Sequence, residues 1–162
     1  MRIKNRIFPA LIAASLLVTA SVAQAQDAMT LVAGQASLVK TQTWIDFLKK
    51  NEIAVDHYVL SEFAKVKDKK FITIIGGMDE SGIKDILTEV CGAAEAASLT
   101  AKGAKKMVLK ENLWKPGQKV LVFAGADADA AAAARTESRD AWMKYLKDWF
   151  DLGDSPGGLR AY

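Results

Sequence analysis

The sequence predicts an α/β fold, a three-layer arrangement in which about five mostly parallel strands are covered by three main helices. Two observations carry this reading. The first is a pattern that occurs three times, an apolar β-prone run that ends in glycine and leads into a helix start. It is seen at Thr30-Leu31-Val32-Ala33-Gly34, at Phe71-Ile72-Thr73-Ile74-Ile75-Gly76-Gly77, and at Lys119-Val120-Leu121-Val122-Phe123-Ala124-Gly125. Runs without polar alternation suit strands buried on both faces, as parallel sheets covered by helices require. The second is the order of segments, which reads β-α-β-β-α-β-β-α and calls for right-handed crossovers wherever strands are parallel.

Each element follows from local chemistry. Residues 36–50 place Leu38, Ile45 and Leu48 on one face, extended by Trp44 and Phe47, and end in Lys49-Lys50-Asn51. Ala54 to Leu60 reads as a second strand. Residues 81–98 set Ile83, Ile86, Leu87 and Val90 at helical spacing, with Asp85 and Glu89 turned outward. Lys106 to Lys110 reads as a further strand, and Trp114-Lys115-Pro116-Gly117-Gln118 as the turn into the third glycine-ended strand. The longest helix is expected from Asp127 to Phe150. It begins with an alanine tract of high helix propensity and continues with Trp142, Tyr145, Leu146 and Trp149 as an aromatic stripe.

The first 25 residues read as a secretory leader. Arg2, Lys4 and Arg6 precede an apolar run from Ile7 to Val22, followed by Ala23-Gln24-Ala25 as a small-x-small cleavage site. The expected location is therefore periplasmic or secreted. The formal charge of +3 belongs to the leader, since its loss removes three bases and no acid. A neutral mature chain offers nucleic acid no electrostatic footprint, and Lys102, Lys105 and Lys106 form only a small cluster. Residues 26–151 are expected to form one α/β domain, and 152–162, with Gly153, Pro156, Gly157 and Gly158, a flexible tail. No stable membrane span is expected once the leader is gone.

In open α/β sheets, ligands bind at the carboxyl ends of the strands, beside helix N-termini that hold anions. The candidate ligand residues are thus Gly34, Ser37, Gly76, Gly77, Ser81, Gly82, Gly125 and Asp127. The same residues also suit plain turning and capping, with glycine turning the chain and Ser or Asp capping the helix. Neither Gly-x-Gly-x-x-Gly nor the P-loop pattern occurs, and no cofactor is expected. Asp127-x-Asp129 supplies too few oxygens for calcium, so no metal is expected. His57 is the single histidine, and no Gly-x-Ser-x-Gly or His-x-x-x-His exists, so no catalytic residue is assigned. Cys91, the single cysteine, reads as a packing residue and excludes an internal disulfide. Trp142, Tyr145, Trp149 and Phe150 are candidates for a partner interface or for self-association, with core packing as the alternative.

Phe71 to Asp79, and then Leu113-Trp114-Lys115-Pro116-Gly117-Gln118 running on through Lys119 to Asp127, carry a family likeness. They resemble the Rossmann-like surface domains of archaeal S-layer-type proteins and the related cell-wall-binding repeats. Those domains share a strand ending in Gly-Gly and a Trp-x-x-Gly-Gln-like turn into a strand ending in Ala-Gly. The resemblance covers roughly residues 53–150 in a single copy, without the Arg and Thr often found after Ala-Gly. It implies a non-catalytic structural or adhesive role outside the cytoplasm, with a cell-envelope component or a protein as partner. The rival expectation is a periplasmic binder of a small anion, or an enzyme, using the glycine-lined edge.

Overall fold

The computed structural model describes residues 27–152. The expected leader and the tail from Gly153 onward lie outside them. Leu152, assigned to the tail by sequence, packs on the hydrophobic core instead.

The elements run β1 (Met29–Ala33), α1 (Gln35–Lys50), β2 (Val55–Val59), a 3-10 helix (Leu60–Val66), β3 (Phe71–Gly77), α2 (Ile83–Cys91), α3 (Ala93–Ser98), β4 (Lys105–Glu111), β5 (Lys119–Gly125), α4 (Ala128–Glu137) and α5 (Arg139–Phe150). One five-stranded sheet has the order β2-β1-β3-β5-β4. Every neighbouring pair is parallel except β4 with β5, a hairpin closed over Pro116-Gly117. The expected mostly parallel, three-layer α/β architecture is therefore the fold of the chain.

Strand alternation sorts the core into two sides. Met29, Leu31, Ala33, Phe71, Ile75, Leu121 and Phe123 point toward α1, α4 and α5. Val32, Ile72, Ile74, Val120, Val122 and Ala124 point toward the 3-10 helix, α2 and α3. Each strand of the interior is buried on both faces, which explains why its sequence shows no alternation.

Two expected helices are broken in the structure. Residues 81–98 divide at Gly92, whose φ of 98° and ψ of 154° no helix accommodates. Residues 127–150 divide at Ser138. Its hydroxyl donates to the Ala134 carbonyl at 2.6 Å, a local bond that competes with helix continuation. The Arg135 carbonyl then accepts from Trp142 Nε1 at 2.7 Å, so the break is sealed from the next helix.

The same geometry corrects part of the aromatic interface. Trp142, 1% exposed, meets Trp44 edge to face at 6.0 Å and Phe47 at 5.7 Å. Phe150 is buried against Phe71 at 4.8 Å. Both are core residues, closed to any partner. Tyr145 and Trp149, half-buried, stack on each other at 6.1 Å, and Trp149 stacks on Phe71 at 5.6 Å.

The Trp-x-x-x-Gln turn is a clasp. Gln118 is fully buried and its side-chain amide donates to the carbonyls of Lys67 at 2.9 Å and Lys69 at 2.7 Å. Its oxygen accepts from Trp114 N–H at 3.1 Å. Trp114 closes the outside, donating to Glu89 at 3.0 Å and crossing Phe63 at 5.5 Å, while Lys67 pairs with Glu89 over both rings. One side chain thus ties the hairpin turn to the loop that enters β3.

Candidate functional site

The glycine-ended strands β1, β3 and β5 present their carboxyl ends along one edge of the sheet. After β1 the chain turns to the α1 face, and after β3 it turns to the α2 face. The two connections part between neighbouring strands, which makes the gap between β1 and β3 the topological switch point.

Glu80 fills that gap. Its carboxylate accepts from Ser37 N–H at 3.1 Å, from Ser37 Oγ at 2.5 Å and from Gly77 N–H at 2.9 Å. Ser37 lies in the first turn of α1, where backbone N–H groups have no partner inside the helix. α1 has no acid in its first turn and no side-chain cap of its own. An acid from the β3–α2 loop therefore supplies the negative charge that the helix start favours. A Cβ on Gly34 would run into this carboxylate, so glycine at 34 is the space that Glu80 occupies.

The remaining glycines admit the protein's own atoms. A Cβ on Gly76 would strike Ile83, the first residue of α2. On Gly77 it would strike the backbone of Asp127 and Ala128, and on Gly125 the side chain of Ala130 and the backbone of Ala131. α4 thus lies directly across the ends of β3 and β5. Asp127 caps it, accepting from Ala130 N–H at 2.8 Å, and Asp129 pairs with Lys40 at 2.6 Å.

Gly34, Ser37, Gly77 and Ser81 are thus brought together around Glu80, with Gly76 just behind. Gly125 and Asp127 sit one strand further, beneath α4. The caps differ from expectation: only Asp127 acts as one. Ser37 lies inside α1, and Gly82, at φ 89°, holds the cap position of α2 in place of Ser81. No ordinary side chain adopts that φ readily, so glycine displaces serine from the cap. Glu80, the central residue, is not among the candidate residues that the sequence marks. The available signal was a helix beginning Gly34-Gln35-Ala36-Ser37, with no acid to complement it.

Beside Glu80 an open depression of about 480 Å³ is lined by Ala33, Gly34, Ala36, Val59, Leu60 and Ser81, among others. Its wall is largely apolar. His57 stands exposed on β2. Burial, and then Glu95, push the Cys91 thiol above its ordinary range. Among the described residues no group of three His, Cys, Asp or Glu side chains comes together, and no helix is long and apolar enough to cross a membrane. Compared with known proteins, the chain matches no family model, no curated protein sequence and no solved structure.

Proposed function

We propose that this chain is a non-catalytic binding protein of the cell exterior or periplasm, whose partner is an envelope component or a protein. The observation that supports this most is the closure of the switch point by Glu80. Where α/β proteins seat phosphate or carboxylate ligands, this one seats its own carboxylate, held by three donors. The glycines of the same edge are explained by the close approach of α2 and α4. The likeness to S-layer-type and cell-wall-binding domains points the same way, as does the secretory character of the first 25 residues.

The test is retention from envelope and culture fractions on immobilised chain lacking its leader. Specific capture of a wall polymer or surface protein is expected, and capture that survives Glu80→Ala would separate it from the switch point. A second reading rests on the depression beside Glu80: a small molecule bound there would raise the melting temperature. Stabilisation by one compound from a panel of anions and nucleotides, with no envelope retention, would replace the first reading with the second.

A further inference from the structure

The two edges of the sheet are built differently. β4 carries Lys105, Lys106 and Lys110, and edge lysines obstruct the addition of another strand. β2, at the opposite edge, is Val55-Asp56-His57-Tyr58-Val59 and has no lysine. Asp56, His57 and Val59 are exposed, and Val59 is one of two large apolar side chains that stand out among the described residues, 44% exposed.

The direction of the backbone groups follows from one bond. Met29 N–H donates to the Ala54 carbonyl at 2.8 Å, so in a parallel ladder residues 54, 56 and 58 turn their backbone groups toward β1. Residues 55, 57 and 59 then turn theirs outward, where the sheet has no further strand among the described residues.

We infer that this edge pairs with the same edge of a second copy, β2 against β2, antiparallel about a twofold axis. The register is forced by which groups point out. With the axis at His57, residues 55, 57 and 59 all meet outward-facing residues of the partner: Val55 faces the partner's Val59, and His57 its own counterpart. Moving the axis to residue 56 or 58 leaves Val59 or Val55 unmatched, and an axis between residues sets outward groups against inward ones.

The side chains agree with that register. Val55 and Val59 share the α1 face with Met29 and Ala33, their neighbours on β1, so the two valines pack together twice across the seam. On the other face Asp56 stands opposite the partner's Tyr58, an acceptor opposite a hydroxyl donor. No like charges oppose each other. The one side chain that meets itself is an imidazole, which carries both a donor and an acceptor. Two five-stranded sheets thereby become one continuous sheet, and the exposed edge disappears. This inference does not depend on what the protein binds.

Sedimentation velocity on the chain, purified as its host processes it, is expected to show a dimer that dissociates on dilution. Val59→Lys sets an ammonium against the partner's Val55 and is expected to raise the dissociation constant about 100-fold. Val39→Lys, an equal change at an exposed valine of α1, leaves the dimer intact. Amide exchange on the unaltered chain gives a second readout that needs no variant. Protection at Val55, His57 and Val59 rises with protein concentration, while that of β4 does not. A monomer at the highest monodisperse concentration overturns the inference. So does a dimer that a folded Val59→Lys chain retains, or β2 protection that ignores concentration.

Discussion

At the scale of single residues, Gly34 and Glu80 form one unit. Gly34 has an extended backbone, φ −70° and ψ 161°, that alanine adopts without strain, so only the space its hydrogen leaves to the Glu80 carboxylate requires glycine. Gly34→Ala expels that carboxylate, and Glu80→Ala removes it, so both strip the same three hydrogen bonds. Each variant is expected to lose about 1–3 kcal/mol of stability. The double variant should lose no more than the worse single one, because the interaction can be lost only once. Urea unfolding of the four chains measures this. Additive losses would show that Gly34 serves something other than Glu80. Gly77→Ala should cost more than either, since it meets the fixed backbone at the start of α4 and not the end of a flexible side chain.

At the scale of elements, the clasp around Gln118 carries the sharpest expectation. Gln118→Leu preserves bulk and removes all three side-chain hydrogen bonds, leaving the Lys67 and Lys69 carbonyls and the Trp114 N–H without their partner. A loss of about 2–4 kcal/mol is expected. Gln118→Glu should fare worse, because it keeps the Trp114 acceptor yet aims a carboxylate at two carbonyls. Urea midpoints together with amide exchange at Trp114 distinguish the two. The elements also show where sequence reading succeeds and where it stops. All five strands were legible: β1, β3 and β5 as apolar runs that end in glycine, β4 from the Pro-Gly turn after it, and β2 from its β-prone residues after the first helix. The breaks at Gly92 and Ser138 were not. A glycine among alanines, or a serine between an alanine tract and an aromatic stripe, is tolerated by helix periodicity. The site was half legible: glycines and Ser37 were marked by position, whereas Glu80 became visible only when β3 carried it beside α1.

At the scale of the whole molecule, the sheet is a partition with a hydrophobic core on each side. Trp44 and Trp142 belong to one side and Trp114 to the other, while every interior strand lines both. Neither core can persist once the strands part. A single cooperative transition is therefore expected, with the fluorine resonances of fluorotryptophan-labelled chain shifting together at one denaturant concentration. Separate midpoints for Trp114 and Trp142 would show the two layers melting independently. Surface charge contributes little to this balance. The Glu62–Lys65 pair lowers the glutamate's pKa and raises the lysine's through its hydrogen bond, yet both side chains stand in water.

The topology also orders events in time. β4 and β5 are joined by the short loop 112–118, so their pairing closes a small loop and can form early in folding. β1 pairs with β2 on one side, but its other side must wait for β3, and β3 for β5, whose last residue is Gly125. The side covered by α1 is completed only when α5 arrives, ending at Phe150. A chain emerging from the ribosome N-terminus first thus holds no finished core until almost all of it has been made. That delay keeps the chain threadable, the condition that the export proposed above would impose on it.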